Sequence, residues 1–569
     1  MYYKRYIGKL LSGMVSVCLS AIIGLTAPAV VRTAVDDLQV SITHSKLAVY
    51  ALAVIGIALA KGVFLFLQRR IIVGMSRDIE NDLRNDYYAH LQSLSQSFFQ
   101  HNRAGDLMAR ATNDISAVRM LIGPAVMYGL NTIIVTLVAL PAMLRIDIEL
   151  TCLVFLTMPV VSIATQYFSK RIHDRFEQVQ ELFSALTARA QESLSGIRVI
   201  RAYVREDYEI REFSRLGREY VKHNLSLIKL NALFLPVLHA AIGIGPVICL
   251  WYGGGLVAKG EITVGQFVEF NLYMVLMIWP MIALGWIISL YQRGMASMGR
   301  INQILNTKPE IKNESESDFK ITGSIEMRSL NFGYLPDKPV LKDINLKIDA
   351  GMTVAIVGHT GSGKSTLLNL IPRLFDVPEG QLLIDDKPIK QIPLATLRRS
   401  IGYAPQESFL FSDTIAGNIA FGTDEVSREQ IELAANQAGL SADIESFPAG
   451  LDTIVGERGI TLSGGQKQRV ALARALIRNP QILLLDDALS AVDIETEERI
   501  LPQLRNIQQG RTCLIVSHRV STIKHADLIV VLKDGSIVEQ GKHDDLLAAG
   551  GTYAELYEKQ LLQEELASN

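Results

Sequence analysis

Residues 354–366 read Val-Ala-Ile-Val-Gly-His-Thr-Gly-Ser-Gly-Lys-Ser-Thr. The first four are apolar and suit a buried strand, and a helix is expected to start near Thr366. Between them lies Gly-x-x-x-x-Gly-Lys-Ser, in the strand–loop–helix context that such a loop requires. Gly358, His359, Thr360, Gly361, Ser362 and Gly363 expose backbone N–H groups that can cradle phosphates. Lys364 is placed to reach the β- and γ-phosphates, and the Ser365 hydroxyl to ligate Mg²⁺.

A second stretch completes that chemistry. Residues 482–485 form a short apolar run that ends on Asp486. A carboxylate at the end of such a strand can hold Mg²⁺ through water. Asp487 follows, where it could polarise an attacking water. A third stretch, Leu462-Ser-Gly-Gly-Gln466, opens a basic helix over 467–477. Ser463, Gly464, Gly465 and Gln466 thus sit at a helix N-terminus and make a second phosphate cradle. One chain cannot easily aim two cradles at one γ-phosphate, so a dimer is expected.

Outward from these motifs the composition changes. Residues 306–322 are polar and charged and read as a linker, with the nucleotide-binding domain running from 323 to 569. Residues 1–305 have a different character. The 569-residue chain has a mean hydropathy of +0.23, unusual for a soluble enzyme of this size. The cause is six apolar stretches at about 10–31, 47–67, 120–144, 150–168, 231–258 and 267–291. Each is long enough to cross a hydrocarbon core of about 30 Å. A cleaved signal peptide at 10–31 is disfavoured by the length of its apolar part and by the spans that follow. With a net charge of −2 and a pI near 6.6, nothing suggests a nucleic-acid partner. Four cysteines with no paired spacing exclude a disulfide scaffold and suggest no zinc site.

The connections orient the spans. Basic residues number seven between the second and third spans and twelve between the fourth and fifth, against two, one and one in the others. The basic connections and both termini are therefore expected in the cytoplasm. These two connections, about 50 and 60 residues long, carry apolar residues at helical spacing. They read as helices leaving the bilayer and reversing near 96–103 and 202–209. Within the spans, Lys61, His239 and Glu269 are ionisable and therefore functional candidates. Pro159, Pro236, Pro246 and Pro280 are expected to kink their helices. Phe64, Phe66, Tyr128, Trp251, Tyr252, Trp279 and Trp286 offer aromatic walls.

Together these motifs resemble the ATP-binding cassette exporters, over essentially the whole chain. The resemblance is to a half-transporter, in particular one subunit of a bacterial heterodimeric exporter. It implies an all-α six-helix membrane domain with long intracellular helical extensions, followed by an α/β P-loop ATPase domain. By the same resemblance, Tyr334 stacks on adenine, Gln406 senses Mg²⁺ and the membrane domain, and His518 contacts the γ-phosphate. Asp493, in the 490–493 loop, faces the opposite site. Residues 453–459 match an exporter-specific segment, and the two reversals correspond to coupling helices. ATP and Mg²⁺ are the implied cofactors, with Ser365, Gln406 and Asp486 around the metal. Lys364, Gln406, Asp487 and His518 are the catalytic candidates.

One departure stands out. Most members carry Glu where this chain has Asp487, one methylene shorter. Such a change resembles the poorly hydrolysing subunits of heterodimeric multidrug exporters. Glu407 and Glu457 lie nearby in motif order, with no reason to prefer either as a replacement base. The expected function is ATP-driven export of amphipathic or hydrophobic substrates, drugs or lipids, across the cytoplasmic membrane by alternating access. The partner is a second half-transporter, with membrane lipids around it. The alternatives are a homodimeric lipid or peptide exporter and an ATP-gated membrane protein that is not a pump. Six spans argue against a soluble cassette ATPase, and a first span near residue 10 leaves no room for a peptide-processing domain ahead of it.

Overall fold

The computed structural model describes residues 2–40, 43–313, 319–335, 337–423, 425–456, 459, 461–492 and 494–568. Among the described residues, six helical segments are long and apolar enough to cross a membrane: α1 (Ile7–Val40), α2 (His44–Ser93), α4 (Ala104–Ile146), α5 (Ile148–Ser195), α7 (Glu206–Lys259) and α8 (Val264–Leu305). Two short helices, α3 (Gln96–His101) and α6 (Ile197–Ala202), lie at the reversals. Each long helix runs well past its apolar stretch, because charged residues at helical spacing continue the same hydrogen-bonded rod into water.

The second reversal includes the tight turn expected within 202–209, but it begins earlier. Gly196 ends the main run of α5, α6 follows at once, and α7 has already begun at Glu206. Val204 takes a positive φ of 52° in the tight turn between them. Pro236, Pro246 and Pro280 sit inside helices, and Pro159 stands three residues after the interruption of α5 at Leu156, where its missing N–H and its ring disturb the helical ladder.

The chain folds as two compact units, one comprising residues up to 89 and 107–306, the other 90–106 and 307 onward. The first reversal thus associates with the second unit, although it lies inside the 1–305 stretch expected from sequence to be one domain.

In the first unit, α1 buries Gly13, Ser16, Val17, Ser20, Ala21, Gly24, Leu25 and Pro28, a face of small residues. A Cβ at Gly13 would collide with Ile72 of α2. Small residues let helices approach closely where no water drives them together. Other faces stay open. Over His44–Gln68 only Gln68 is buried, and Phe176, Phe183, Val221 and Leu225 of α5 and α7 are exposed.

The second unit carries two sheets. One holds β1 (Ile325–Phe332), β2 (Leu341–Ile348), β4 (Leu382–Ile384) and β5 (Lys387–Pro388) in the order β2-β1-β4-β5, all antiparallel. The other holds β3 (Thr353–Val357), β6 (Ile401–Ala404), β7 (Ile482–Asp486), β8 (Thr512–Val516), β9 (Leu528–Lys533) and β10 (Ser536–Gly541) in the order β10-β9-β3-β8-β7-β6. Its five strands β9, β3, β8, β7 and β6 are parallel, and every residue of β7 and β8 is buried. A sheet covered on both faces needs such continuous apolar strands.

Candidate functional site

Parallel strands deliver their following loops to one edge of the sheet, the usual place for a ligand in this class. The loop after β3, Asp486 and Asp487 at the end of β7, His518 just past β8 and Gln406 just past β6 all reach that edge. They line one cavity of about 310 Å³, together with Thr360, Gly361, Gly363, Lys364, Ser365 and Thr366. Val340 and Val516 complete its wall. Neither belongs to a recognisable motif, so nothing in the sequence marks them.

The loop geometry follows from its glycines. Gly358, Gly361 and Gly363 have φ of 150°, 85° and 102°, conformations that L side chains rarely adopt. A Cβ at Gly363 would also lie 2.8 Å from Leu341 Cδ2. Helix α9 (Lys364–Leu370) then begins two residues before Thr366. Lys364 Nζ donates to the carbonyls of Gly358 (2.7 Å) and His359 (2.9 Å), which tie the side chain back along its own loop. Burial pulls this ammonium below the ordinary lysine range, while Asp486 and Asp487 oppose the shift.

Ser365 Oγ donates to Asp486 Oδ1 at 3.1 Å. Burial pushes the Asp486 carboxyl above its ordinary value; the Ser365 hydrogen bond opposes this, the Asp487 charge reinforces it, and Lys364 and His518 oppose it. Asp487 has a φ of 51°, and its N–H donates to the Val516 carbonyl at 2.8 Å. Ser362 Oγ is buried and has no hydrogen-bond partner among the described residues. An orphaned hydroxyl inside an N–H-lined loop suits an anionic ligand. Among the described residues no cluster of three His, Cys, Asp or Glu side chains could hold a metal ion. Ser365, Gln406 and Asp486 bring hard oxygen ligands to this cavity, and these suit Mg²⁺ sharing its shell with phosphates and water.

Other expected residues lie elsewhere. Tyr334 does not line this cavity; its hydroxyl pairs with Thr366 Oγ1 at 3.1 Å, and its ring faces an adjoining space. Ser463 caps α10 (Gly464–Leu476) in a reciprocal box with Gln466, three residues earlier than the expected helix start at 467. Residues 463–466 lie outside the cavity and pack beside the 490–492 loop. A Cβ at Gly465 would come within 2.8 Å of the Ala491 carbonyl, and Gln468 Nε2 donates to Ser490 Oγ at 2.8 Å. Asp493, Glu457 and part of segment 453–459 fall outside the described residues.

The comparisons with known proteins agree along nearly the full length. The family described as "ABC transporter transmembrane region" matches residues 7–281, and that described as "ABC transporter" matches 341–490. The chain is 37% identical over 565 residues to the "Probable multidrug resistance ABC transporter ATP-binding/permease protein YheI" of Bacillus subtilis (strain 168), covering 99% of this chain and 97% of that protein. The chain belongs to the ABC transporter family. Within this family it is also 36% identical to the "ATP-dependent lipid A-core flippase" of Syntrophus aciditrophicus (strain SB), over 94% of this chain and 89% of that one. Among solved structures it is similar to the "Structure of a bacterial Atm1-family ABC exporter with ATP bound", with a TM-score of 0.79, 29% identity and 98% of each chain covered. As an ABC exporter the chain is a multi-pass membrane protein that binds ATP, couples its hydrolysis to transport and works as a dimer.

In the membrane unit of this ABC exporter, the ionisable residues are placed apart. The Glu269 carboxylate is buried and accepts from Arg32 Nη1 at 3.2 Å. The stem of Lys61 crosses α1 at Gly24, and His239 Nδ1 sits 2.8 Å from the Leu235 carbonyl. Tyr128 and Trp286 pair edge-on at 5.3 Å, and Tyr252 donates to Glu149. A void of about 30 Å³ among Val154, Thr157, Gly245, Met274 and Met281 has room for roughly one water. None of the seven wall aromatics lines it.

Proposed function

We propose that this chain is one half of an exporter that moves amphipathic or hydrophobic molecules, drugs or lipids, out across the cytoplasmic membrane. Its termini and nucleotide-binding unit face the cytoplasm, which the basic-residue asymmetry of its connections supports. The printed names of the relatives, multidrug resistance and lipid A-core flippase, point to the same class of cargo. The observation that carries the mechanism is the convergence of the Lys364 loop, Asp486, Asp487, Gln406 and His518 on one cavity.

In this reading the N–H groups of Gly358–Ser365 and the Lys364 ammonium hold the β- and γ-phosphates. Ser365, Asp486 and Gln406 hold Mg²⁺, which supplies charge neutralisation when bound. Asp487 orients the attacking water, and His518 supports the γ-phosphate. Residues 463–466 lie outside their own chain's cavity and are free to close over a partner's nucleotide. ATP binding favours the closed pair, and hydrolysis resets it, so the spans alternate between inward and outward access.

The partner is a different half-transporter. Asp487 stops one methylene short of the Glu found in most members, and misplacement of a catalytic group by about 1 Å can cost on the order of 10²-fold. The deciding experiment is Mg·ATP hydrolysis by this chain alone in lipid, beside Asp487→Glu. Weak wild-type turnover raised by the Glu variant supports a degenerate site in a heterodimer. Brisk wild-type turnover that collapses in Asp487→Asn means a self-sufficient homodimer.

A further inference from the structure

A cavity of about 430 Å³ lies within the second unit, beside the phosphate-side cavity. Tyr334 forms part of its wall and is tied through its hydroxyl to Thr366, which lines the phosphate side. The ring plane is fixed by Phe332 and Phe375, at 5.2 and 5.1 Å and both steeply inclined to it. Tyr334 is still 41% exposed, which leaves ring surface for stacking. The same cavity is lined by the first reversal, with Ser95 and Ser97, and by the linker, with Glu310.

Glu310 is held by that reversal. Ser97 Oγ donates to its Oε2 at 2.5 Å and Ser95 Oγ at 3.1 Å. The other carboxylate on the wall, Asp376, is taken up by Arg373 Nε and Nη2 at 2.6 and 3.2 Å. Glu310 is therefore a carboxylate oriented by two hydroxyls, with acceptor capacity to spare. A base stacked on Tyr334, with its sugar toward Thr366, would occupy the cavity that Glu310 also lines.

We propose that Glu310, positioned by Ser95 and Ser97, is a base-reading residue that accepts the exocyclic amine of adenine. The proposal rests on the nucleotide-site reading above and adds a specificity contact to it. It also gives the reversal between α2 and α4 direct knowledge of whether a base is present, because the serines that aim the carboxylate belong to that reversal.

The test is equilibrium binding to the full chain in lipid, with three probes: ATP, purine riboside triphosphate (which lacks only the amine) and inorganic tripolyphosphate. Wild type is expected to prefer ATP to the amine-free analogue roughly tenfold, the worth of one hydrogen bond to a charged acceptor. Glu310→Ala should bring the two within about twofold and leave tripolyphosphate binding unchanged. Ser97→Ala keeps the charge but loosens its aim, and should lose part of the preference. Equal affinities in wild type, or a preference that survives in Glu310→Ala, overturn the proposal. If tripolyphosphate binding falls in Glu310→Ala, the fold is damaged, and Ser97→Ala then decides: an unchanged preference there overturns the proposal. If wild type binds tripolyphosphate but neither nucleotide better, the base contact fails while the phosphate loop stands. If it binds none of the three, the nucleotide-site reading fails as well.

Discussion

Ser365 and Asp486 are 121 residues apart in sequence, and the serine hydroxyl donates to the aspartate carboxylate at 3.1 Å. The pair joins the loop after β3 to the end of β7 across the intervening strand β8. Both oxygens are among those assigned to Mg²⁺. Ser365→Ala is expected to raise the Mg²⁺ concentration for half-maximal ATPase activity at least roughly tenfold. Asp486→Asn, which removes the charge as well, should have the larger effect. A Mg²⁺ titration of ATPase activity reads both.

Lys364→Ala should lower nucleotide affinity on the order of 10- to 100-fold, the loss of charge-assisted bonds to phosphate. The measurement is binding of a fluorescent ATP analogue to this chain's own site. Unchanged affinity would refute the assignment of the 358–365 loop.

Gly363 combines a φ of 102° with a side-chain neighbour 2.8 Å from any added Cβ. Gly363→Ala should therefore cost about 1–3 kcal/mol of backbone strain. A lowered thermal midpoint, with ATP no longer stabilising the protein, would show it.

Asp385 ties down the end of the linker and the first residues after it. Its carboxylate accepts from the Thr322 backbone N–H and hydroxyl, both at 2.6 Å, and from Ser324 N–H at 2.8 Å. Burial alone would raise this carboxyl, but the bonds from Thr322, Ser324 and Gly323 outweigh it and hold it below the ordinary range. A depressed carboxyl stabilises the fold above its unfolded pKa of about 3.9, and that contribution fades as pH falls through the lower folded value. Asp385→Ala should thus lower the thermal midpoint at pH 7. The gap to wild type should narrow below about pH 4.

Gly265 begins α8 against α1. An added Cβ would meet the Arg32 carbonyl and the Asp36 carboxylate, and the Gly265 N–H already donates to Asp36 Oδ1 at 2.9 Å. A backbone oxygen cannot swing aside, so Gly265→Val should destabilise the α1–α8 contact by about 1–3 kcal/mol. A melting scan in detergent would detect it, and the nucleotide affinity of the other unit should be unaffected.

Much of this protein was legible in one dimension because its constraints are local. A bilayer demands long apolar runs, so six of them could be counted directly. A phosphate loop needs glycines, a lysine and a hydroxyl at fixed spacing between strand and helix, and residues 358–365 supply them in order. Asp486 ends β7 as expected because the apolar run before it has the length of a buried strand. Boundaries were less legible. The tight turn of the second reversal falls within the 202–209 expected from sequence, but the reversal itself starts at Gly196, which ends the main run of α5.

What only the tertiary structure decided depends on pairing across long separations. The order β10-β9-β3-β8-β7-β6 brings Gln406, Asp486, Asp487 and His518 to one edge, and no spacing rule states which strands will be neighbours. The same folding sets Val340 in the phosphate cavity, turns Tyr334 into a separate one and brings Ser97 against Glu310, 213 residues away. Sequence records what each segment can do alone. The physical choice among partners is made by burying both faces of a sheet at once, and that is settled only when the whole unit packs.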